Sequence, residues 1–85
     1  MSQVIVYSAL WCAFCKTEKQ YLDHLGVPYI EKDIDGDESA MTELLAKVGT
    51  ETSSVPVTDI DGIIIRGFDR VKIDAALEEK GYITN

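Results

Sequence analysis

Short β-branched runs alternate with stretches of helical periodicity along the first half of this chain, and that alternation restricts its fold more than any other feature. Val4-Ile5-Val6-Tyr7 is a β-branched and aromatic run, which predicts a buried strand. A loop over Ser8 to Trp11 leads to a helix from Cys12 to about Leu25, with Tyr21, Leu22 and Leu25 as its apolar face and Gly26 as its stop. Pro28 cannot continue a helix and opens an extended stretch from Tyr29 to Ile34. Asp35-Gly36-Asp37 is a turn and N-cap signal. Ala40, Met41, Leu44, Leu45 and Val48 then recur at helical spacing, predicting a second helix over about Glu38 to Val48 that Gly49 ends.

The second half changes character. After a polar loop from Thr50 to Ser54, Val55 to Ile60 reads as a strand despite Pro56. Asp61-Gly62 is a two-residue hairpin signal of the type I′ kind, and Ile63 to Arg66 is the returning strand, ended by Gly67. Asp69 is placed to cap a last helix of about Arg70 to Lys80, with Val71, Ile73, Ala76 and Leu77 facing inward and Gly81 closing it before Tyr82 to Asn85 trail off. The order β-α-β-α-β-β-α predicts an α/β fold. Its first half pairs parallel strands through a right-handed crossover, and its hairpin makes the sheet mixed.

At 85 residues the chain is one domain, residues 1–85. A content of 46% hydrophobic and 27% charged residues is that of a folding chain, not a disordered tail. Eight Lys and Arg against 15 Asp and Glu give a formal charge of -7. That balance argues against nucleic acid, whose phosphates need a basic face, and against an anionic membrane surface. No apolar run is long enough to span a bilayer, and the N-terminus carries no secretory pattern. A secreted scaffold of this size would carry four to eight cysteines, whereas this chain has two. The expectation is a cytoplasmic monomer whose two cysteines do chemistry.

Those cysteines, Cys12 and Cys15, sit at a strand-to-helix junction. Their spacing suits a reversible disulfide closing a very short loop. A helix N-terminus presents unpaired N–H groups and the positive end of the helix dipole. A thiolate at Cys12 is stabilised there, so its pKa is expected below the usual ~8.5 of a free cysteine. Cys15, one turn deeper, is expected to be more buried and less ionised. Thiol–disulfide exchange follows: Cys12 attacks a substrate disulfide, and Cys15 resolves the mixed disulfide, leaving the Cys12–Cys15 disulfide to be reduced again. Lys16 and Lys19 are expected to add positive potential. A structural zinc site needs four ligands, and only Cys12, Cys15 and His24 are soft donors here.

Tyr7-Ser8, Trp11-Cys12-Ala13-Phe14-Cys15, Lys19, Ser54-Val55-Pro56 and Gly67-Phe68-Asp69 follow one another along essentially the whole chain. In this pattern the sequence resembles the glutaredoxins of the thioredoxin-like superfamily. The resemblance implies a thioredoxin-like fold with a four-stranded mixed sheet and helices on both faces. It implies that Cys12 is the exposed nucleophile and Cys15 the resolving thiol. Pro56 matches the family's cis-proline, which leaves the Val55 backbone free to pair with an extended substrate or glutathione; the plain alternative is a proline at a strand edge. Gly67 and Asp69 match the turn that receives the γ-glutamyl end of glutathione. Trp11, Phe14 and Phe68 are candidates for an apolar rim facing a partner protein, and Tyr7 is a candidate to touch the site. The resemblance implies no bound cofactor beyond the redox-active disulfide, disulfide-containing protein substrates, and electrons from glutathione or thioredoxin reductase.

The departures from the family pattern refine this. Ala13 and Phe14 replace the usual Pro-Tyr between the cysteines. Ala9 stands where a lysine usually binds a glutathione carboxylate, and Arg66 replaces the first glycine of the Gly-Gly turn. Gly67-Phe68 is closer to the NrdH-type redoxins, which take electrons from thioredoxin reductase. The expectation is impaired glutathione binding, since losing a charge pair at a carboxylate removes about 1 kcal/mol or more. Glu18 takes a helix position where the family usually has a small residue. It is expected to be a solvated glutamate near Lys16 or Lys19; the alternative is a buried carboxyl that passes protons to Cys15. His24, at the far end of the same helix, is not a base for the cysteines. Two other classes stand beside exchange: a glutathione-dependent [2Fe–2S] module and a non-catalytic partner-binding domain.

Overall fold

The computed structural model describes residues 3–49 and 55–83. Its elements run β1 (Val4–Ser8), α1 (Ala13–Leu25), β2 (Ile30–Asp33), α2 (Glu38–Val48), β3 (Val57–Ile60), β4 (Ile63–Arg66) and α3 (Arg70–Glu79). The order is the one read from the sequence. The sheet is β2-β1-β3-β4, with β1 parallel to β2 and antiparallel to β3, and β3 antiparallel to β4.

Side-chain alternation along β1 sorts the core into two layers. Val4 and Val6 join Ile60 and Ile65 on one face, covered by Leu22 of α1 and by Ile73, Ala76 and Leu77 of α3. Ile5 and Tyr7 join Val57 on the other face, covered by Ala40 and Leu44 of α2 and by Ile34. Helices therefore lie on both faces, and α1 shares its face with α3.

The turns obey their local chemistry. Asp61 and Gly62 have φ of 50° and 97°, the two positive values a type I′ hairpin requires. The Asp59 carboxylate accepts the Gly62 N–H at 2.7 Å and closes the turn. Asp37 caps α2 by accepting from the Ser39 N–H at 2.9 Å, and Asp69 caps α3 by accepting from the Lys72 N–H at 3.1 Å. Gly81 closes α3 as expected, its N–H reaching the Glu78 carbonyl while the Tyr82 N–H reaches that of Leu77.

Five boundaries differ from expectation, the last helix ending at Glu79 with Lys80 as its C-cap instead of running to Lys80. Ser8 belongs to β1, because its carbonyl takes the Ile34 N–H at 2.9 Å and extends the parallel ladder. Cys12 precedes α1 as its N-cap. Strand β2 is shorter than the Tyr29–Ile34 stretch. Strand β3 starts at Val57, since Pro56 has no N–H to give to a ladder. Val71 is exposed, not inward. It lies about 200° around the helix from Ile73, so both cannot face the sheet. The expected loop from Thr50 to Ser54 lies outside the described residues, as do Met1, Ser2, Thr84 and Asn85.

Candidate active site

The site forms where β1 hands over to α1. The Cys12 N–H donates to the Ala9 carbonyl at 3.1 Å, folding the connection into a tight turn. Cys12 then adopts extended backbone angles, φ -91° and ψ 108°, as an N-cap does. Its sulfur occupies the place of a capping oxygen: Sγ accepts the Cys15 N–H at 3.1 Å. A sulfur held there meets the unpaired N–H groups and positive dipole end of α1, which favour a thiolate over a thiol.

Cys12 and Cys15 are joined in a disulfide, with Cα atoms 5.3 Å apart. They are not equivalent. Cys12 keeps 8% of its surface accessible, whereas Cys15 keeps 0%. The expected difference in depth holds, although even Cys12 offers only an edge. Ala9, Cys12, Cys15 and Val55 pack into a small apolar cluster of their own. Val55 also packs against the α2-side core, so it touches both.

The cis Val55–Pro56 peptide lies beside this cluster. The Val55 carbonyl oxygen is 3.5 Å from Cys12 Sγ. The Gly67 N–H donates to the Pro56 carbonyl at 2.8 Å, which brings the Gly67 turn against the proline. Gly67 has φ 77°, a left-handed conformation that a side chain strains. Around the cysteines, Trp11 and Phe14 are exposed, and so is Leu10 at 92%. Leu10 was not singled out by sequence reasoning. Its signal was position alone, between the buried Ala9 and the first cysteine.

Other expected site residues are placed elsewhere. Tyr7 is buried beneath α2, with its hydroxyl donating to Glu43 and Lys47 Nζ 5.0 Å from its ring centroid. It packs there because alternation along β1 turns it to the face opposite α1. Burial, then the Glu43 contact, push its phenol above the usual range. Phe68 is half-buried, its ring edge-on to Tyr21 at 5.9 Å, so it is a core element more than a free rim. Lys19 is ion-paired with Glu31, which also accepts the Ser8 hydroxyl at 2.8 Å. The Lys19 bond holds the Glu31 carboxyl below the usual carboxylate range. The positive charge expected at the cysteines from Lys19 is thus compensated, while Lys16 remains exposed. Asp69 already uses one carboxylate oxygen to cap α3, and Arg66 donates to the Val48 carbonyl at 3.2 Å. His24 is exposed on the last turn of α1.

Glu18 overturns the expectation of a solvated side chain, for it is 0% exposed. It shares with Cys15 and Leu22 the helix face that turns toward the sheet. One carboxylate oxygen, Oε2, accepts the hydroxyl of Thr58 on β3. The other, Oε1, is buried with no hydrogen-bond partner. Burial pushes the carboxyl up to about 7, with the Thr58 bond pulling back. The signal was present in the sequence: Cys15, Glu18 and Leu22 fall at helical spacing, and Thr58 alternates with the inward Ile60.

Among the described residues, no group of three or more His, Cys, Asp or Glu is placed to hold a metal ion. No helix among them is long and apolar enough to cross a membrane.

Residues 4–65 match the Glutaredoxin family model. A glutaredoxin of Pseudomonas aeruginosa is 35% identical over 83 residues, covering 98% of this chain and 93% of its own length. A glutaredoxin-like protein of 8.6 kDa from the rubredoxin operon of Clostridium pasteurianum is 32% identical over 74 residues, covering 87% of this chain and 96% of its own. Among solved structures, the thioredoxin-like protein BC3987 superposes with a TM-score of 0.79 at 31% identity, covering 88% of this chain and 100% of that one. A buckwheat glutaredoxin in complex with glutathione superposes at 0.71 and 28% identity, covering 98% of this chain and 83% of its own. A redox pair capping a helix beside a cis-proline, on a thioredoxin-like sheet and in a sequence with these relatives, places the chain in the glutaredoxin family of thiol–disulfide oxidoreductases.

Proposed function

We propose that this chain reduces protein disulfides with Cys12 as the attacking thiolate and Cys15 as the resolving thiol. The observation that carries the reading is the asymmetry of the pair. Cys12 sits at the helix N-terminus with the Cys15 N–H on its sulfur and the larger accessible surface, while Cys15 is sealed. Attack by Cys12 breaks the substrate disulfide and releases one thiol. Attack by Cys15 on Cys12 then releases the other and closes the protein disulfide. Trp11 and Phe14 provide the apolar surface on which a protein substrate rests. The Val55 backbone offers it a strand-like contact, with Pro56, Gly67, Phe68 and Asp69 shaping the far wall.

The electrons come from a thioredoxin reductase in preference to glutathione. Ala9 brings no cation to a glutathione carboxylate, and Asp69 is engaged as a helix cap. The chain works in the cytoplasm as a monomer, as a general donor to protein disulfides in redox homeostasis. An NADPH-coupled disulfide reduction assay with two arms tests this, one with thioredoxin reductase and one with glutathione and glutathione reductase, each with Cys12→Ser as control. Turnover with thioredoxin reductase alone supports the reading. Turnover with glutathione alone overturns the electron source, and turnover that survives Cys12→Ser overturns the nucleophile.

A further inference from the structure

The resolving step carries a requirement that the cysteine pair itself does not meet. Cys15 must lose a proton before it can attack, yet none of its surface is exposed to solvent. A thiol in apolar surroundings holds its proton more tightly than the usual ~8.5.

Glu18 stands one helical turn further along the same face, where side chains three apart are neighbours at about 5–6 Å between Cβ atoms. It is as deeply buried as Cys15. An ordinary buried carboxylate would be paired, since an unpaired one costs several kcal/mol. This one is tethered on a single side: Thr58 holds Oε2 and leaves Oε1 unpartnered inside the protein. The inner faces of the elements around it bring no countercharge. Val4, Val6 and Ser8 of β1, Thr58 and Ile60 of β3, and Ile73, Ala76 and Leu77 of α3 are all uncharged. On its own helix the nearby cation Lys19 is committed to Glu31, and the remaining titratable group of the buried face is Cys15.

We infer that Glu18 is the proton acceptor for Cys15, and that Thr58 positions it for that exchange. The inference rests on the thiol–disulfide reading above. With the substrate held on Cys12 as a mixed disulfide, Oε1 takes the proton from Cys15. The Cys15 thiolate attacks Cys12 Sγ, forming the Cys12–Cys15 bond. The Cys12–substrate sulfur bond breaks, and the departing thiolate leaves with the electron pair and is protonated by solvent. Two electrons have then passed from the dithiol to the substrate. When the disulfide is reduced again, Cys15 departs as a thiolate and Glu18 returns the proton. A carboxyl that titrates near neutrality is ionised often enough to accept and protonated often enough to give.

The reduced protein reacting with dithiobis(nitrobenzoate) separates the two steps, because each releases one coloured thiolate. The first phase reports Cys12 and the second reports Cys15. In the native chain the second phase should rise with pH, with its midpoint near pH 7 and a levelling above it. In Glu18→Gln it should slow by about 10²-fold at mildly alkaline pH and lose that levelling, while the first phase keeps its rate and pH profile. Thr58→Val removes the bond that lowers the Glu18 pKa, so it should move the levelling to higher pH. A second phase of unchanged rate and profile in Glu18→Gln overturns the inference. So does an unmoved levelling point in Thr58→Val, which also serves if the glutamine variant does not fold. Absence of both phases in the native chain would overturn the exchange reading itself.

Discussion

Replacing Glu18 by glutamine should make this protein more tolerant of alkaline pH, and the size of the effect follows from burial. The carboxyl is pushed from 4.5 to about 7 in the fold, chiefly by desolvation. Between those two values the folded chain holds a proton that the unfolded chain has lost. Stability then falls with rising pH by about 1.4 kcal/mol per pH unit. The contribution is intact below the unfolded pKa and fully lost once pH has passed through the folded one. Taken over the whole interval, the loss is about 3 kcal/mol. That is a large part of the ~5–15 kcal/mol that holds a typical domain together. Glutamine has the same shape and no titration. The cost of burying its amide is the same at every pH and cancels when the two pH curves are compared. Glu31 and Glu43 titrate in the opposite sense but are present in both proteins. Urea unfolding followed by far-UV circular dichroism, with the disulfide closed in both chains, measures the difference. Between about pH 4 and about pH 8 the stability of Glu18→Gln relative to the native chain should rise by about 3 kcal/mol. Parallel curves would refute the reasoning, since they would mean that Glu18 ionises without leaving water.

Cys15→Ser should still form a mixed disulfide with a substrate but should not release it, and mass spectrometry of the trapped adduct checks this; Cys12→Ser should form none. Leu44→Ala, at a position with no exposed surface beneath α2, should cost about 2–5 kcal/mol in urea unfolding. Its rate of attack on a small disulfide should stay unchanged while the protein is folded. Asp69→Ala removes the cap of α3 and should cost about 1 kcal/mol, read as a lower midpoint in thermal unfolding.

Much of this architecture was legible because each signal was local. Helix α2 is bounded by an aspartate cap and a glycine stop, and β4 by Asp61-Gly62 and Gly67, so both elements end where sequence reasoning ends them. The redox pair was legible for the same reason, a spacing set against a strand-to-helix junction. What was misjudged depends on partners far along the chain. Ser8 enters β1 because Ile34 reaches it, and Tyr7 leaves the site because α2 covers its face. Glu18 was expected in water because an isolated glutamate between lysines usually is. Its burial is set by Thr58, 40 residues away, and by the diversion of Lys19 to Glu31. Val71 is exposed for a local reason, its angle around α3 relative to Ile73, and no distant partner is involved.

The sheet divides this molecule into two compartments, and only one of them holds the cysteines. The α2 side holds no cysteine and no part of α1, so its side chains are free to drift as long as they fill their volume. Val55 is the exception, packed at once against that compartment and against the cysteine cluster. On packing grounds, a volume-conserving change at Leu44 or Met41 stays within the α2 side, whereas one at this valine reaches both compartments. There a change of bulk is felt by the backbone that any extended substrate must meet.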